Sequence, residues 1–416
     1  MQKNIVAEPQ LAGQGKQKIE WVKRNMPILR QIEDDFRKHQ YFSGLRVLVC
    51  IHLEAKTAYL AQVFAAGGAE VAVTGSNSHS TKDDVVAALA EEGMHVYARY
   101  GATPEEMRQY MNQALDVRPN IMIDDGGDIA ELVHTERQEL LPEVLGACEE
   151  TTTGVLRAKA RAKAGVLEFP VVLINDARCK YLFDNYHGTG QSVWDGVMRT
   201  TNLVVSGKTV VIIGYGWCGK GCAERAQGLG ANVIVCEVDP IKAADALMHG
   251  LRVMPLNQAV PEGDIILTVT GGKHVIRQEH YERMKGGVIL ANAGHFKIEF
   301  DLDALLNLSV EQKEMRHNIT GFMMADGRWL NLLGDGDLVN IACASGHPAE
   351  IMDTSVALQA LSGKYIALNH ADLCNDVHRV PEEIDDEVAR LKLKGSGVSI
   401  DELLPEQKAY LESWEK

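Results

Sequence analysis

The chain has 416 residues, of which 46% are hydrophobic and 24% charged, and this is the composition of an ordinary globular protein. A chain of this length exceeds what one hydrophobic core serves, so we expect at least two domains. The formal net charge of -15 disfavours a nucleic-acid partner, because neutralising phosphates requires clustered Lys and Arg. No apolar run reaches the roughly 18 residues of a membrane span, and the first residues carry no secretory signal, so we expect no membrane partner.

The eight cysteines are scattered, and none falls in a CxxC pair. Several of them, such as Cys50 and Cys236, lie inside apolar, strand-like runs. Because disulfides are characteristic of secreted proteins, this pattern indicates buried free thiols in a reducing compartment. We therefore expect a cytoplasmic protein.

The first predicted element is a helix over residues 17–38, interrupted at Pro27. Short apolar runs then predict strands, and the amphipathic stretches between them, closed by Gly, predict helices. The strands of this first series span residues 45–53, 70–74, 95–98, 121–123 and 171–174. A second series begins at Thr209. Continuous apolar strands joined by helices indicate parallel sheets covered on both faces. The sequence thus predicts an α/β fold with two doubly wound, parallel-sheet, Rossmann-like domains and a small C-terminal helical tail.

A glycine fingerprint opens the second series of strands. The apolar run TVVIIG leads into Gly214, Gly216 and Gly219, in GxGxxG spacing, and then into a helical stretch. These glycines permit a tight turn, a close approach of pyrophosphate and close helix–strand packing, and the helix N-terminus favours phosphate. Glu237 ends the next strand, where an acid binds ribose hydroxyls and repels a 2′-phosphate. This context predicts a site for NAD rather than NADP. The alternative is a glycine-rich turn of structural use only.

Two later strands of the same series end in polar loops. One loop carries Thr270, and the other carries Asn292 and His295. Ligands of doubly wound sheets bind outside the carboxyl ends of strands, so we expect both loops to line the nicotinamide end. The alternative for His295 is an imidazole that bridges two loops.

Strands of the first series also end in polar groups. His52 follows one strand, and Asp125 lies in the cluster DDGGD that follows another. Carboxylates that crowd one another shift their pKa values, so the cluster suits a ligand site. The alternative is an acidic turn that caps a helix. A calcium loop is disfavoured because the spacing D-x-D-x-D-G is absent.

Two further patterns lie before the second series. Three consecutive threonines, Thr151, Thr152 and Thr153, form a stiff, hydroxyl-rich loop that can bond a carboxamide or a ribose. Lys180 and Asp184 are four residues apart, which makes them neighbours on a helix face. Beside a dinucleotide they offer a base for a hydroxyl that is being oxidised, whereas the alternative is a surface ion pair.

Taken together, these motifs closely resemble the S-adenosyl-L-homocysteine hydrolases. The resemblance runs in family order from about residue 17 to residue 412. The matching segments are IDDGGDIAELVHT, CEETTTGV, FDNYHGTGQS, GYGWCGKGCAERA, CEVDPIKA, NAGHF and LVNIACASGHPAEIM.

The resemblance implies reversible hydrolysis of S-adenosyl-L-homocysteine to adenosine and L-homocysteine. In such enzymes a firmly held NAD oxidises the nucleoside 3′-hydroxyl, and the resulting ketone acidifies the C4′ proton. Loss of that proton expels homocysteine from C5′, water adds, and the ketone is reduced again. The cofactor ends as it began, so the net reaction is hydrolysis of a nucleoside thioether.

Catalytic roles also follow from the resemblance. It implies that Lys180 and Asp184 manage the 3′-hydroxyl proton, with Asn185 beside them. It implies that His52 and Asp125 serve the proton transfers at C4′ and C5′.

Binding roles are implied in the same way. Glu150 and His295 would hold ribose hydroxyls or the water, and His347 lies in the loop that helps form the nucleobase pocket and its gate. The residues implied to hold NAD are Thr151, Thr152, Thr153, Asn185, Gly214, Gly216, Gly219, Glu237 and Asn340.

The implied domain organisation agrees with the predicted fold. We expect a substrate-binding domain from residues 1–184 and 348–380, and an NAD-binding Rossmann domain from residues 185–347. Residues 381–416 form a polar helical tail that we expect at a subunit contact. The resemblance implies a homotetramer.

The chain departs from the pattern of many family members. It carries Lys56 where a carboxylate is common, and Thr189 where a cysteine is common. It ends at Trp414-Glu415-Lys416, without the Lys- and Tyr-containing tail that elsewhere reaches a neighbouring subunit's NAD. It therefore resembles the shorter branch found in archaea and some thermophilic bacteria.

The departure at Lys56 concerns recognition of the base, for which Glu54, Lys56 and Thr57 are candidate substrate-binding residues. Lys56 supplies only donors and suits a hypoxanthine carbonyl, whereas Glu54 supplies only acceptors and suits an adenine amino group. If the strand end stays extended, residues two apart point the same way, so either could face the base. Lys56 would then widen selectivity toward S-inosyl-L-homocysteine. The alternative is that the two side chains pair with each other or with solvent, and backbone groups near His347 read the base.

Two other functions remain open from the sequence. A plain NAD-dependent dehydrogenase of the 2-hydroxyacid type shares the two-domain layout, but would release NADH stoichiometrically. A catalytically silent NAD-sensing subunit is the other alternative.

Overall fold

The structure is a computed structural model that describes residues 4–414. Its strands are β1 (Arg46–Ile51), β2 (Glu70–Gly75), β3 (His95–Tyr97), β4 (Ile121–Asp124), β5 (Gly146–Glu149), β6 (Val171–Leu173), β7 (Thr209–Ile213), β8 (Asn232–Cys236), β9 (Arg252–Val253), β10 (Ile265–Thr268), β11 (Ile289–Asn292), β12 (Ser309–Arg316), β13 (Ile319–Met324), β14 (Trp329–Leu333) and β15 (Val377–Arg379). Its α-helices are α1 (Ala12–Arg24), α2 (Pro27–His39), α3 (Ala55–Ala66), α4 (Asp83–Glu91), α5 (Pro104–Leu115), α6 (Asp128–Thr135), α7 (Thr152–Lys163), α8 (Arg178–Lys180), α9 (Thr189–Thr201), α10 (Trp217–Gly228), α11 (Pro240–Met248), α12 (Leu256–Ala259), α13 (Gln278–Tyr281), α14 (Leu302–Leu308), α15 (Val339–Ala342), α16 (Ala349–Asn369), α17 (Glu382–Gly395) and α18 (Pro405–Glu412). A π-helical segment, Tyr181–Gly188, joins α8 to α9.

The first sheet has seven strands in the order β15-β6-β5-β4-β1-β2-β3. All neighbouring pairs are parallel, and without β15 the order is that of a dinucleotide-type doubly wound sheet. Alternate residues of β1 enter different hydrophobic clusters, with Val47 and Val49 on one face and Leu48 and Cys50 on the other. Both faces are therefore covered, which explains why these strands read as continuous apolar runs.

The second sheet has eight strands in the order β12-β13-β14-β11-β10-β7-β8-β9. From β14 to β9 all pairs are parallel, and the order repeats that of the first sheet. The predicted fold, with two doubly wound parallel sheets, is thus confirmed. An antiparallel extension formed by β12, β13 and β14 was not predicted. Strand β12 is polar and exposed along almost all its length, so it lacks the apolar signal of a strand.

The break predicted in the first helix is confirmed, since α2 begins at Pro27. Proline suits a first helical position because its missing N–H has no intrahelical partner there. The next donors are satisfied from far along the chain. The carboxylate of Asp353, in α16, accepts from the backbone N–H groups of Ile28 and Leu29 at 2.9 Å each. This contact fixes α16 against the first sheet's helical layer.

The chain returns from the second sheet to the first through α16. This helix begins directly after Pro348, and Val356, Leu358 and Leu361 join the hydrophobic cluster of the first sheet. The tail that follows has two parts. Helix α17 packs on α2 and α16 and buries Val388, whereas α18 is exposed throughout. Across residues 4–414, no helix has both the length and the apolar character needed to cross a membrane.

Candidate active site

The two sheets open onto one cavity of about 1820 Å³. In each sheet the strand order reverses beside the first strand, between β1 and β4 and between β7 and β10. Ligands of doubly wound sheets bind at such switch points. His52 follows β1 and Asp125 follows β4, while Gly214 follows β7 and Thr270 lies two residues after β10.

Nearly all the sequence-predicted site residues line this cavity. They are His52, Glu54, Lys56, Thr57, Asp125, Glu150, Thr151, Thr152, Thr153, Lys180, Asp184, Asn185, Gly214, Gly216, Glu237, Thr270, His295, Asn340 and His347. Gly219 and Asn292 do not line it.

Asp125 lies between two imidazoles that come from different sheets. Its Oδ2 is 3.5 Å from Nε2 of His52, and its Oδ1 is 3.9 Å from Nδ1 of His295. Ser76 donates to Asp125 at 3.0 Å, and Ser80 lies 2.8 Å from Nδ1 of His52. Burial lowers the pKa of His52 and outweighs the opposing effect of Asp125, so the free imidazole is neutral near pH 7 and can accept a proton.

The same cluster has the spacing of a metal site. His52, Asp125 and His295 each offer one atom that could bind a metal, and these three atoms lie within 4.8 Å of one another. Within residues 4–414, no other group of three or more His, Cys, Asp or Glu side chains places its ligand atoms this close together. Two imidazoles and a carboxylate are ligands that suit divalent transition metals.

In the acidic cluster at the end of β4, one aspartate caps a helix and the next aspartate faces the cavity. Asp124 is buried, and its carboxylate accepts from the backbone N–H groups of Asp125 and Ala130 at 3.0 Å. It therefore caps the start of α6, which was the alternative interpretation, while Asp125 faces the cavity. Burial raises the pKa of Asp124 to about 7.

Glu149 was missed by sequence reasoning, which singled out its neighbours. This buried carboxylate accepts from the backbone N–H of Gly126 at 2.9 Å and of Thr151 at 3.0 Å. It thus ties the loop after β4 to the threonine loop after β5. A Cβ on Gly154 would lie 2.0 Å from the Glu149 carboxyl carbon, so only glycine allows this approach.

Lys180 lies in a buried pocket of oxygen atoms. Its Nζ is 3.3 Å from Oε1 of Glu150, 3.4 Å from Oδ1 of Asp184 and 3.0 Å from Oδ1 of Asn185. The wider π-helical turn brings the residue five positions on into contact, as well as the residue four positions on. The alternative of a surface ion pair is wrong, because Lys180 and Asp184 are both about 95% buried.

Burial and charge act in opposite directions on this cluster. Burial opposes the ammonium form of Lys180, but Asp184 and Glu150 outweigh it, and the pKa of Lys180 is raised. Burial also opposes the ionised form of Asp184, yet Lys180 and His347 hold its pKa well below the usual range. For Glu150 burial dominates and raises the pKa to about 7, although Lys180 lowers it. The two carboxylates beside one lysine thus differ in proton affinity.

His347 joins this cluster from the loop that precedes α16. Its Nδ1 lies 3.1 Å from Oδ1 of Asp184, and its Nε2 lies 3.3 Å from Oγ1 of Thr189. Thr189 therefore contacts the same histidine through its hydroxyl.

The glycine fingerprint forms an open cradle. Gly214 has φ of +101°, and a Cβ on Gly219 would lie 2.0 Å from the carbonyl oxygen of Gly214, so Gly219 serves close packing rather than ligand contact. A Cβ on Gly216 would meet no described atom within 4 Å, which leaves room for a ligand against its backbone. Glu237 accepts from the backbone N–H of Tyr215 at 2.7 Å, so the acid is fixed beside the cradle.

The other end of the cavity offers an unused amide oxygen. Nδ2 of Asn340 donates to Oγ of Ser192 at 3.1 Å, while its Oδ1 is buried and has no hydrogen-bond partner within residues 4–414. A buried acceptor without a partner is costly, so the site suits a ligand that brings a donor. The carboxamide of a nicotinamide is such a ligand, and the residues present therefore fit NAD.

The side chain of Asn292 corrects the prediction made for it. It is fully buried and donates to the carbonyls of Gly294, Phe296 and Gly336 at 3.0, 3.2 and 2.9 Å. Its amide shapes the loop that carries His295 instead of reaching the cavity, because the neighbouring carbonyls occupy it.

Glu299 is a second residue that sequence reasoning missed. Its buried carboxylate accepts from the backbone N–H of Thr270 and of Gly271, and it holds this loop at the cavity wall. Its place in the segment KIEFD carries no motif that would have revealed it.

The geometry assumed for Lys56 is wrong. Glu54 is the N-cap of α3 and Lys56 is a helical residue, so the extended strand does not continue this far. Lys56 Nζ lies 2.9 Å from Oε2 of Glu54 and 3.3 Å from the carbonyl oxygen of Ser345. The two side chains therefore pair with each other, which is the first part of the alternative interpretation. Thr57 donates to the carbonyl of His52 at 2.6 Å and supports that residue.

A dinucleotide cradle on one sheet that faces buried acid–base groups on the other defines an NAD-dependent enzyme. The model for S-adenosyl-L-homocysteine hydrolase matches residues 3–143, and the model for the NAD-binding domain of that enzyme matches residues 185–346. The chain belongs to the S-adenosyl-L-homocysteine hydrolase family. It is a hydrolase with NAD as its cofactor, and the predicted family and cofactor are confirmed.

Relatives carry two different names. The chain is 55% identical to adenosylhomocysteinase from Pyrococcus abyssi over 410 residues, which are 99% of this chain and 97% of the relative. Adenosylhomocysteinase from Thermococcus kodakarensis is 55% identical with the same coverage. S-inosyl-L-homocysteine hydrolase from Methanopyrus kandleri is 52% identical over 412 residues, with 99% of this chain and 97% of the relative covered. Family membership removes the dehydrogenase and the silent subunit as alternatives.

Proposed function

We propose that this enzyme reversibly hydrolyses S-adenosyl-L-homocysteine to adenosine and L-homocysteine. The observation that carries the proposal is the single cavity in which the dinucleotide cradle faces two separate acid–base clusters. When bound, NAD supplies a reversible oxidation of the 3′-hydroxyl, which acidifies the C4′ proton and makes the C5′–S bond eliminable. One cluster then serves the hydroxyl, and the other serves C4′ and C5′.

The hydroxyl cluster consists of Lys180, Glu150, Asp184 and Asn185. Lys180 is an ammonium in the free enzyme, so it first passes a proton to Glu150; its amine then takes the 3′-hydroxyl proton during oxidation and returns it at the end. The two carboxylates hold Lys180 as the ammonium before and after this transfer, which agrees with its raised pKa. Asn185 orients the amine through its 3.0 Å contact, and Glu150 holds a ribose hydroxyl or the water.

The second cluster consists of His52, Asp125 and His295. The neutral imidazole of His52 is suited to accept the C4′ proton, and Asp125 stabilises the imidazolium that results. Loss of that proton expels the homocysteine thiolate from C5′, and the same pair protonates the leaving sulfur and activates the water that replaces it. His295 reaches this pair from the second sheet and holds a ribose hydroxyl or the water.

The cofactor contacts follow from the cradle and the residues that face it. Gly214 and Gly216 receive the pyrophosphate, Glu237 binds the adenosine ribose, and Asn340 accepts from the carboxamide. The remaining proposed contacts are Thr151, Thr152, Thr153, Asn185 and Thr270. We assign residues 185–347 to the NAD-binding domain, residues 1–184 with 348–380 to the substrate domain, and residues 381–416 to the tail.

S-inosyl-L-homocysteine is a second candidate substrate, which Lys56 favours. Its ammonium lies in the cavity wall beside Ser345, two residues before His347 in the loop proposed to hold the base. An ammonium donates to the carbonyl of hypoxanthine, whereas Glu54 accepts from the amino group of adenine. The Lys56–Glu54 pair thus offers both a donor and an acceptor, and supports acceptance of either base.

A homotetramer and a cytoplasmic location complete the proposal. Described residues of the tail expose apolar side chains that a neighbouring subunit would cover. They are Val398, Ile400, Leu403, Leu404, Tyr410, Leu411 and Trp414. All eight cysteines are free, which favours a reducing compartment. Light scattering of the purified enzyme tests the oligomer, and a monomer would contradict it.

Turnover of the two thioethers tests the function. Purified enzyme is given S-adenosyl- or S-inosyl-L-homocysteine while free thiol and reduced-nicotinamide absorbance are followed together. We expect steady thiol release from at least the adenosyl compound without net accumulation of NADH. Absence of thiol release from the adenosyl compound would overturn the proposal, and release from the inosyl compound alone would make that thioether the substrate.

A further inference from the structure

Helix α16 carries two buried polar side chains that contact the carboxylates beside Lys180. Oγ of Ser355 donates to Oδ2 of Asp184 at 2.6 Å. Nε2 of Gln359 donates to Oε2 of Glu150. Ser355 and Gln359 are four residues apart, so they lie on one face of the helix, and neither has any solvent exposure.

In both carboxylates, one oxygen faces Lys180 and the other oxygen faces α16. In Glu150, Oε1 faces Lys180 while Oε2 faces α16. In Asp184, Oδ1 faces Lys180 while Oδ2 faces α16. Each carboxylate is therefore held on both sides, and its plane and its distance to the amine are fixed.

We infer that Ser355 and Gln359 are positioning residues that fix Asp184 and Glu150 around Lys180, so that α16 sets the proton-transfer geometry of the 3′-hydroxyl cluster. This inference rests on the proposed function of Lys180.

The orientation of Gln359 follows from its partner. An ionised Glu150 is an acceptor only, so the amide of Gln359 must present its nitrogen to it. The amide oxygen of Gln359 has no hydrogen-bond partner among the described residues, so Glu150 alone sets this orientation. The hydrogen bond from Gln359 stabilises the carboxylate form of Glu150 and so lowers its pKa, whereas burial raises that pKa.

Ser362 provides a matched control on the same helix face. It is seven residues beyond Ser355 and equally buried, but its hydroxyl has no hydrogen-bond partner in the described part of the chain. Ser362→Ala therefore removes a buried hydroxyl from α16 without touching either carboxylate.

Three variants of the NAD-loaded enzyme test the inference, namely Gln359→Met, Ser355→Ala and Ser362→Ala. Methionine keeps the approximate volume of glutamine but donates no hydrogen bond. We expect Gln359→Met to slow formation of bound NADH about ten- to a hundredfold, the worth of one hydrogen bond to a charged group, with KM changed less than about threefold. Ser355→Ala loses less, because Lys180 and His347 still hold Asp184. Ser362→Ala behaves as the unaltered enzyme.

A second readout needs no turnover. The protonated-carboxyl band of Glu150, assigned by its loss in Glu150→Gln, is titrated by infrared spectroscopy. We expect Gln359→Met to move its midpoint upward by about one pH unit, and Ser362→Ala to leave it unchanged.

The outcomes separate this inference from the proposed function. If the unaltered enzyme turns over no thioether, the proposed function fails, but the infrared midpoint still decides the inference. If Gln359→Met and Ser355→Ala match Ser362→Ala in rate and midpoint, α16 does not position the cluster. If they lower only thermal stability or bound NAD, their role is structural and the inference is overturned.

Discussion

Lys180 Nζ and Glu150 Oε1 lie 3.3 Å apart, and both side chains are almost completely removed from solvent. A buried amine beside a carboxylate whose pKa is raised to about 7 forms a pair whose charge changes near neutral pH. The fold buries both groups at one cavity, and there the pair can serve the proton transfer proposed for the 3′-hydroxyl.

The oxidation step should therefore depend on pH. Because burial raises the pKa of Glu150 to about 7, the carboxylate is lost as pH falls through that value, and Glu150 can then no longer take a proton from Lys180. We expect the rate of bound-NADH formation to fall on the acid side of about pH 7. Glu150→Gln should be slower at every pH and should lack this limb. A limb that persists unchanged in Glu150→Gln would assign it to another group.

The same raised pKa affects stability in a defined direction. Glu150 binds its proton more tightly in the folded enzyme than in the unfolded chain, so its contribution to stability is complete below the ordinary value of 4.5 and is lost as pH rises through about 7. We expect Glu150→Gln to gain in free energy of unfolding, relative to the unaltered enzyme, as pH rises across this window. Denaturant unfolding at several pH values measures the difference in free energy of unfolding between the two enzymes. If that difference does not vary with pH, the pKa of Glu150 is not raised.

Removal of the amine should stop the first chemical step. We expect Lys180→Ala to keep its fold and bound NAD but to lose nearly all formation of bound NADH when substrate is added. Lys159→Ala is the control, because Lys159 forms a half-exposed ion pair with Asp176. Unimpaired NADH formation in Lys180→Ala would place the base elsewhere.

Asp125 should act later than Lys180. We expect Asp125→Asn to form bound NADH but to release thiol slowly, because the proton transfers at C4′ and C5′ follow oxidation. Asp128→Asn is the matched control, since Asp128 belongs to the same acidic cluster but pairs with Arg157 and does not line the cavity. Loss of NADH formation in Asp125→Asn would show that Asp125 serves the first step instead.

Base selectivity should depend on Lys56. A mismatched buried polar group costs about 1–3 kcal/mol, so Lys56→Glu should shift the ratio of kcat/KM for the two thioethers by roughly ten- to a hundredfold toward the adenosyl compound. Lys16→Glu is the control, because Lys16 forms an exposed ion pair with Glu91 and does not line the cavity. An unchanged ratio in Lys56→Glu would show that this residue does not read the base.

Much of the site was predicted from the rule that ligands of doubly wound sheets bind at the carboxyl ends of the strands. His52, Asp125 and Gly214 were found because apolar strands end directly before them, and parallel strands bring those ends together. Lys56 was misplaced because Glu54 caps a helix at the point where an extended strand was assumed.

Other contacts depend on folding and have no local signal. Gln359 lies 209 residues from Glu150 in the chain, and their contact depends on where α16 packs. Glu299 and Asn292 act through loop carbonyls and amides, which no spacing of side chains reveals. Strand β12 was missed for a different reason, since it is exposed and most of its side chains are polar, with Val310 and Met315 too far apart to give an apolar run.

The central claim is that oxidation and reduction within one cavity accomplish a net hydrolysis. Its most direct test follows reduced-nicotinamide absorbance and free thiol in the same cuvette, with purified enzyme and excess S-adenosyl-L-homocysteine. We predict that absorbance rises to at most one NADH per active site and then stays constant, while thiol accumulates over many turnovers. NADH that accumulates in step with substrate consumed, or thiol that stops at one equivalent per site, would contradict the account.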